Sequence, residues 1–212
     1  KTALFTRCGS EAKNVNEYCH IYRTVKNIDD SWSAPERIKL FADTINEGQA
    51  FLSTDEKELY FVSDSKEGYG GRDIFVAKKN IAGDFEYPVN AGSKVNSQGD
   101  ELFPVISEDN KLYFSSNGKI GYGGLDIYVA TKEGKIYTNA QNLGYGVNSG
   151  GDDFSISLTK SKDDSVLLSG YITSNRPGGK GLDDIYYFES RMAPAEPLPP
   201  AVFVLKVLVQ AK

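Results

Sequence analysis

The chain has 212 residues, enough for one full-sized β domain or for a domain with an appendage. Its 24 basic and 29 acidic residues leave a formal net charge of −5, which argues against a nucleic-acid partner because such a partner favours a basic surface. No run reaches the roughly 18 consecutive apolar residues that a membrane-spanning helix requires. The 13 tyrosines, 11 phenylalanines and 21 glycines are typical of many short strands joined by tight turns.

The chain opens on an incomplete unit of strands. Segments 3–6, 20–22 and 32–35 match the second, third and fourth strands of the units that follow, whereas the first strand of this unit is absent. From this gap we expect further repeats upstream in the intact protein.

Three longer units follow, and each repeats the same order of strands and turns. In the clearest copy, an apolar run at 102–106 precedes a polar turn, a second run at 111–116, a glycine-rich loop and a third run that opens on Asp126. Regular spacing of such units indicates an internal repeat. The units begin at three asparagines that are 50 and 52 residues apart: Asn46, Asn96 and Asn148.

The glycine-rich loops carry polar residues at a fixed spacing. An Asp or Asn ends the second run of each unit, and an Asp opens the third run nine residues later. Side chains of this type commonly accept backbone N–H groups in turns, so we predict that they lock the loops. A metal site is the alternative, but two such residues per unit do not supply the six to eight oxygens of a calcium cage. The predicted structural residues are Asp64, Asp73, Asn117, Asp126, Asn175 and Asp184, with Gly70, Gly71, Gly123 and Gly124.

A fourth segment completes each unit, at 85–88 with 90–92 in one copy and at 136–137 with 142–144 in the next. Four strands in about 50 residues match the blade of a β-propeller. A helical solenoid would show a 3.6-residue apolar period, which is missing. We therefore predict an all-β β-propeller over residues 1–190, with about three and a half to four blades visible out of a ring of five or six.

The first unit departs from the repeat at its two cysteines. Cys8 lies where Asp64 lies in the next unit, and Cys19 precedes His20, which replaces the aspartate that opens the third strand. Adjacent antiparallel strand ends bring Cα atoms within the range of a disulfide. We predict a Cys8–Cys19 disulfide and, with it, an oxidising compartment. Two free thiols are the alternative.

The end of the chain has a different composition. Residues 191–201 are rich in proline and are predicted to form an extended linker. Residues 202–212 contain one almost unbroken apolar run, which must pack against other protein surface. We favour the start of a following β-sandwich domain over the outer edge of the last blade.

Acidic residues precede the first strand of each unit, which raises the possibility of a propeller glycosidase. Such an enzyme needs two carboxylates about 5–9.5 Å apart. Because these acids recur at equivalent positions, a structural role explains them more simply, and His20 is the single histidine available to a catalytic triad. We predict no catalytic residue, no cofactor and no metal. The acids are Glu47, Asp100, Glu101, Asp152 and Asp153.

These motifs resemble the TolB/WD-like propeller repeats of OmpA-family envelope proteins, most closely the PorE-type lipoproteins of the type IX secretion machinery. The resemblance covers about residues 2–189. In that family a helical-repeat region precedes the propeller, and a small β-sandwich and a peptidoglycan-binding domain follow it. The carrying segments are 5–8 with 19–22, 59–64 with 69–74, 101–104, 112–117 with 123–128, and 174–179 with 183–186.

The resemblance implies a non-catalytic interaction scaffold of the bacterial periplasm, next to the outer membrane. Its partners would be other envelope or secretion-system proteins, and its association with the membrane would be indirect. The alternative function is a propeller-type glycoside hydrolase or a glycan-binding module.

Overall fold

The computed structural model describes residues 1–9 and 18–191, and over these ranges the chain is all-β, with strands arranged in four antiparallel sheets. The predicted linker beyond Arg191 and the predicted strand at 202–212 lie outside the described residues. No helix in the described ranges is long and apolar enough to cross a membrane.

The four sheets follow one another along the chain. Sheet 1 contains β1 (Thr2–Cys8), β2 (Cys19–Val25) and β3 (Glu36–Arg37). Sheet 2 contains β4 (Glu47–Leu52), β5 (Glu58–Ser63), β6 (Asp73–Lys78) and β7 (Val89–Asn90). Sheet 3 contains β8 (Glu101–Ile106), β9 (Lys111–Ser116), β10 (Asp126–Glu133), β11 (Ile136–Tyr137) and β12 (Gln141–Asn142). Sheet 4 contains β13 (Asp153–Thr159), β14 (Val166–Ser174) and β15 (Asp184–Arg191).

The fourth segment predicted at 136–137 is strand β11, whereas two other fourth strands are shorter than the sequence predicts and begin later. The segment predicted at 32–35 precedes β3, and the segment predicted at 85–88 precedes β7. Pro35 and Pro88 stand immediately before these two strands. Proline has no backbone N–H and cannot extend the hydrogen-bond ladder, which limits each fourth strand to two residues.

The core lies between consecutive sheets rather than inside any one of them. In β5, Leu59 and Phe61 point into the cluster shared with sheet 1, while Tyr60 and Val62 point into the cluster shared with sheet 3. Alternate side chains of a strand face opposite sides, so a strand covered on both faces has a continuous apolar sequence. Each fully buried aromatic or aliphatic side chain of this kind contributes roughly 1.5–3 kcal/mol.

The first strands of sheets 2, 3 and 4 each contain a β-bulge. At the bulges Gln49, Phe103 and Ser155 have positive φ angles of 51°, 53° and 58°. A bulge releases a backbone N–H from the ladder. The N–H of Gln49 donates to Thr6 Oγ1 of sheet 1 at 3.1 Å, and the N–H of Phe103 donates to Gln49 Oε1 at 2.9 Å. In sheets 2 and 3 the bulge therefore joins the first strand to the sheet before it.

Candidate functional site

The aspartates that open the third strands bind their own glycine loops. The Asp126 carboxylate accepts the N–H groups of Tyr122 at 2.6 Å and Gly123 at 3.3 Å. These three aspartates are thereby used in holding the loop main chain. The equivalent contacts are those of Asp73 with Tyr69 and of Asp184 with Lys180 and Gly181.

The polar residues at the ends of the second strands accept N–H groups outside the glycine loop. Asn117 Oδ1 accepts the N–H of Asp100 at 2.7 Å, and Asn175 Oδ1 accepts the N–H of Asp152 at 2.6 Å. Asp64 accepts the N–H of Asn46 at 2.9 Å. Antiparallel pairing places the end of the second strand beside the start of the first, so these side chains fix the first strand of their own sheet.

The paired glycines serve the contact between one sheet and the next. The Gly71 N–H donates to the carbonyl of Gly99 at 2.9 Å. A Cβ atom at Gly70 would overlap the backbone of residues 97–98, and one at Gly123 would overlap the carbonyl of Gly151. Cβ atoms at Gly71 and Gly124 would meet the carboxylates of Asp100 and Asp152. Glycine is required at these positions because two backbones approach closely there.

One side chain per junction joins a sheet to the first strand of the next, and we call this contact the latch. Its acceptor immediately precedes the first strand. Its donor is the backbone N–H just before the third strand in sheets 2 and 3, and the N–H of Cys19, the first residue of β2, in sheet 1. In one latch the Asp100 carboxylate also pairs with the Arg72 guanidinium at 2.9 Å. The three latches are Cys19 to Asn46 at 2.9 Å, Arg72 to Asp100 at 2.8 Å and Leu125 to Asp152 at 2.9 Å.

The acid that follows each latch residue is completely buried, and in sheets 3 and 4 it is fully engaged. Glu101 accepts the N–H of Ser97 and the hydroxyl of Ser116, both at 2.7 Å. Asp153 pairs with the Arg176 guanidinium at 2.6 Å and accepts the Ser149 hydroxyl at 2.8 Å. Buried carboxylates are stable only with such partners.

Glu47, the corresponding acid of sheet 2, is different. Its Oε1 accepts the N–H of Phe41 at 2.7 Å, but Oε2 is buried and has no hydrogen-bond partner among the described residues. His20 lies beside it, with Nδ1 at 3.6 Å from Oε2, which is too long for a hydrogen bond. Burial raises the pKa of the Glu47 carboxyl to about 7.

Two further charged groups surround this pair, and we call His20, Arg37, Asp43 and Glu47 together the His20–Glu47 site. Arg37 donates through Nη1 to Asp43 at 2.6 Å, while its buried Nε and Nη2 atoms have no partner in the described structure. Burial, helped by the charge of Arg37, lowers the pKa of His20. Near neutral pH the site thus holds an uncharged imidazole beside a carboxyl that is close to half-protonated.

The disulfide predicted from the sequence is confirmed. Cys8 and Cys19 are bonded and lie opposite each other in the register of β1 and β2. Cys19 also supplies the latch to Asn46, and it is followed directly by His20. A groove of about 480 Å³ runs beside the site, with Cys19, Asn46 and Glu47 in its wall. The irregular features of the first unit are therefore concentrated at one junction.

The acids considered for glycosidase chemistry are not brought together as a free pair. Asp100 and Asp152 are occupied by the latches, and Glu101 and Asp153 are occupied by buried donors. Glu47 alone among these five acids has an oxygen without a hydrogen-bond partner. Within the part of the chain that the structure describes, no group of three or more His, Cys, Asp or Glu side chains is arranged to hold a metal ion.

The sequence alignment misplaced one residue and missed two. Asn46 stands structurally with Asp100 and Asp152, because all three immediately precede a first strand. Asn96 and Asn148, with which the sequence aligned it, are buried side chains that bond both backbone groups of Ile74 and Ile127 respectively. Arg37 and the isolation of Glu47 were not foreseen. An alignment of the units on Glu47, Glu101 and Asp153 would have shown that Glu47 is equivalent to two other buried acids.

No protein-family model matches the chain, and the search of curated proteins gives no significant match. A solved structure of similar fold is the α-L-arabinofuranosidase from Lactobacillus brevis, at 13% identity and a TM-score of 0.53. The alignment covers 87% of this chain and 68% of that chain. At this identity the likeness concerns the fold alone.

Proposed function

We propose that the chain is part of a β-propeller and acts as a non-catalytic scaffold for protein interactions. On this proposal it lies in the bacterial periplasm next to the outer membrane, within a secretion or envelope-anchoring complex, and its partners are other proteins of that complex. The disulfide supports an oxidising compartment, which the periplasm provides. The motifs of the glycine loops support the resemblance to envelope propellers.

The observation that carries the proposal is the use made of the repeated carboxylates. Asp100 and Asp152 bind backbone N–H groups of the preceding sheet, and Asp126 binds its own loop. A catalytic acid or base must instead be free to exchange a proton with a substrate. Side chains that recur with the same hydrogen bonds at successive junctions make the array rigid, which is the property that a scaffold needs.

The exposed tyrosines of the loops offer the surface on which a partner would bind. Tyr69 and Tyr122 occupy equivalent positions in two glycine loops, and Tyr145 lies with its ring centroid 6.2 Å from that of Tyr122. All three side chains are exposed. Tyrosine is enriched in protein interfaces because it combines a large apolar area with a polar hydroxyl.

The test is capture and cross-linking of envelope proteins with the full chain as bait. We expect a defined set of partners whose recovery falls when Tyr122 and Tyr145 are both replaced by serine. Ile81→Ser is the control, since Ile81 is a fully exposed apolar residue in a turn outside the glycine loops. Equal recovery with all of these baits would contradict the assignment of the surface, and cross-links to cytoplasmic proteins alone would contradict the compartment.

A glycoside hydrolase or a glycan-binding module is the second candidate. Two observations favour it: the fold is similar to that of an α-L-arabinofuranosidase, and the Glu47 carboxyl has a pKa near the operating pH of a general acid. A screen with chromogenic glycosides, including arabinofuranosides, would decide. Turnover that is lost in Glu47→Gln but kept in Glu36→Gln, an exposed control, would replace the scaffold proposal with an enzyme.

A further inference from the structure

A cavity of about 230 Å³ lies between the outer strands of sheets 2 and 3. Its wall includes residues of β6 and β7 on one side and of β10 and β11 on the other. Val76, Val89 and Ala91 supply apolar surface, and the ring of Tyr87, which is 63% exposed, adds an aromatic one. A cavity of roughly 150 Å³ holds benzene, so this one has room for a small ring with one substituent.

A buried polar cluster forms part of the wall. Glu58 accepts the hydroxyl of Tyr60 at 2.8 Å and pairs with Lys132, whose Nζ also donates to the Tyr60 hydroxyl at 2.8 Å. The side chain of Lys132 is only 11% exposed. Burial would raise the pKa of Glu58, but the hydrogen bonds from Lys132 and Tyr60 lower it. The carboxylate therefore stays charged and occupies Lys132.

Tyr137 adds a polar group that the cluster does not use. Its side chain is 7% exposed, and its hydroxyl has no partner in hydrogen-bonding geometry among the described residues. Burial raises its pKa to about 12, so the hydroxyl keeps its proton and can donate. At the junction of sheets 1 and 2 the corresponding residue is Phe85, which pairs with Lys79 as Tyr137 pairs with Lys132. Packing at this position does not need the hydroxyl, although burying it without a partner costs stability.

The charges of the wall favour an anion. Neither the last lysine nor the last glutamate of the wall forms an ion pair among the described residues, whereas Glu58 is occupied by Lys132 and lies 3.6 Å from Lys78. The wall thus has one positive charge in excess, in a chain whose net charge is −5. A cavity of positive sign concentrates anions and disfavours cations. The charged residues of the wall are Lys78, Lys132 and Lys135 with Glu58 and Glu86.

We propose that this cavity binds a small carboxylic acid that carries an apolar ring or chain. The apolar part lies on Val76, Val89 and Ala91, which gives it a dry surface. The carboxylate accepts hydrogen bonds from the Tyr137 hydroxyl and the Lys135 ammonium, which are two positions apart in the chain and both line the cavity. Binding supplies the buried hydroxyl with the acceptor that the protein does not provide.

The test is isothermal titration calorimetry of the full chain with benzoate and hexanoate as probes. We expect saturable binding of at least one of them, and binding of the uncharged benzyl alcohol that is weaker by roughly tenfold or more, because hydrogen bonds to a charged group are the stronger ones. Tyr137→Phe should weaken binding of the acid by roughly tenfold. Lys135→Gln should weaken it and Glu86→Gln should tighten it, each by a few-fold and more strongly at low salt.

A matched control and a stability measurement separate binding from folding. Tyr186→Phe also removes a buried hydroxyl that has no partner among the described residues, but it lies in sheet 4 and should leave the affinity unchanged. Without ligand, Tyr137→Phe should be at least as stable as wild type in thermal denaturation, since its hydroxyl makes no hydrogen bond. Ala91→Leu places side-chain volume in the cavity and should abolish binding.

Three results would overturn the proposal. They are the absence of binding of both acids at millimolar concentration, equal affinity for benzoate and benzyl alcohol, and wild-type affinity in folded Tyr137→Phe. If Tyr137→Phe or Ala91→Leu does not fold, the opposite effects of Lys135→Gln and Glu86→Gln decide, because both residues are on the surface of the wall. Unchanged affinity in both of these variants would equally contradict the site.

Discussion

Two junctions between sheets use the same positions with opposite electrostatic results. Between sheets 3 and 4, the buried acid Asp153 pairs with Arg176 and two donors of Ser149, and the loop is closed by glycines. Between sheets 1 and 2, the buried acid Glu47 has one free oxygen beside a neutral histidine, and the strands are joined by a disulfide. The repeat fixes where a carboxylate is buried, but the neighbouring side chains decide whether each of its oxygens has a hydrogen-bond partner.

The largest loss of stability is expected from a substitution of Arg176. Replacing Arg176 by methionine leaves the carboxylate of Asp153 buried without its counter-charge, and we expect a loss of about 3–5 kcal/mol in the free energy of unfolding. Urea denaturation measures this loss. Arg191→Met is the control, because the ion pairs of Arg191 are solvent-exposed and contribute little to stability. Equal losses of stability in the two variants would show that the buried ion pair contributes no more than the exposed ones.

The covalent side of the comparison is tested by removing the disulfide. The bond joins two residues that are 11 positions apart. Opening it should reduce the free energy of unfolding by about 2–3 kcal/mol, because the unfolded chain gains conformational entropy. Denaturation of the Cys8→Ser, Cys19→Ser double variant gives the value. Addition of a dithiol reductant should lower the stability of the wild type to that of the variant and leave the variant unchanged. A reductant effect on the variant would assign the loss to something else.

A matched pair of substitutions tests whether close approach of two backbones requires glycine at the junctions. Gly123→Ala places a Cβ against the carbonyl of Gly151, and relief of this overlap should cost about 1–3 kcal/mol. Gly150→Ala meets no atom within 4 Å and should change stability by less than about 0.5 kcal/mol. Thermal and chemical denaturation of both variants compare them. If Gly123→Ala is as stable as Gly150→Ala, close backbone approach is not what requires glycine there.

The electrostatic difference predicts an unusual pH dependence for Glu47. Its pKa is about 7 in the folded chain against a usual value of 4.5, so the folded state holds the proton more tightly. The resulting stability is fully present below about pH 4.5 and is lost as the pH rises through 7. Glu47→Gln keeps the neutral form and should be more stable than wild type at pH 8, by on the order of 1–2 kcal/mol. Denaturation midpoints across this range give the difference.

His20 acts in the opposite direction and serves as the control for Glu47. Burial and the charge of Arg37 lower its pKa, so its contribution is present above its usual value of 6.5 and is lost as the pH falls below that value. In His20→Asn, the free energy of unfolding should therefore no longer fall below pH 6.5 on account of His20. The decrease above neutral pH that is due to Glu47 should remain. Asp43 keeps its charge through this range, because Arg37 holds its pKa low. If Glu47→Gln and wild type lose stability in parallel above pH 6, Glu47 is not the titrating group.

The regular part of the fold could be predicted because alternation and spacing are local. The runs at 102–106 and 111–116 are β8 and β9 with little change, since apolar residues bounded by turns define a strand. The disulfide followed from the register of Cys8 with Asp64. The fourth segment at 136–137 coincides with β11, but β3 and β7 begin later than predicted, because a pairing of two residues leaves almost no pattern in the sequence.

The candidate site could be predicted only where the repeat itself marked it. The sequence pointed to His20 and Cys19 as departures from the pattern. It could not show that Arg37, from a short fourth strand, reaches the same place, because that contact depends on how two sheets pack. The partners of Asp64, Asn117 and Asn175 were also unpredictable, since the glycine loop is adjacent in sequence whereas the actual partners lie 18, 17 and 23 positions away and come near only through strand pairing.

The latches have a consequence for how such a chain assembles. Their donor and acceptor residues are 27, 28 and 27 positions apart at the three junctions. Each added sheet therefore closes a loop of nearly constant length, and the entropy lost at each closure is nearly the same. Assembly can proceed one neighbour at a time, as soon as the next sheet is available, without any contact between distant ends of the chain.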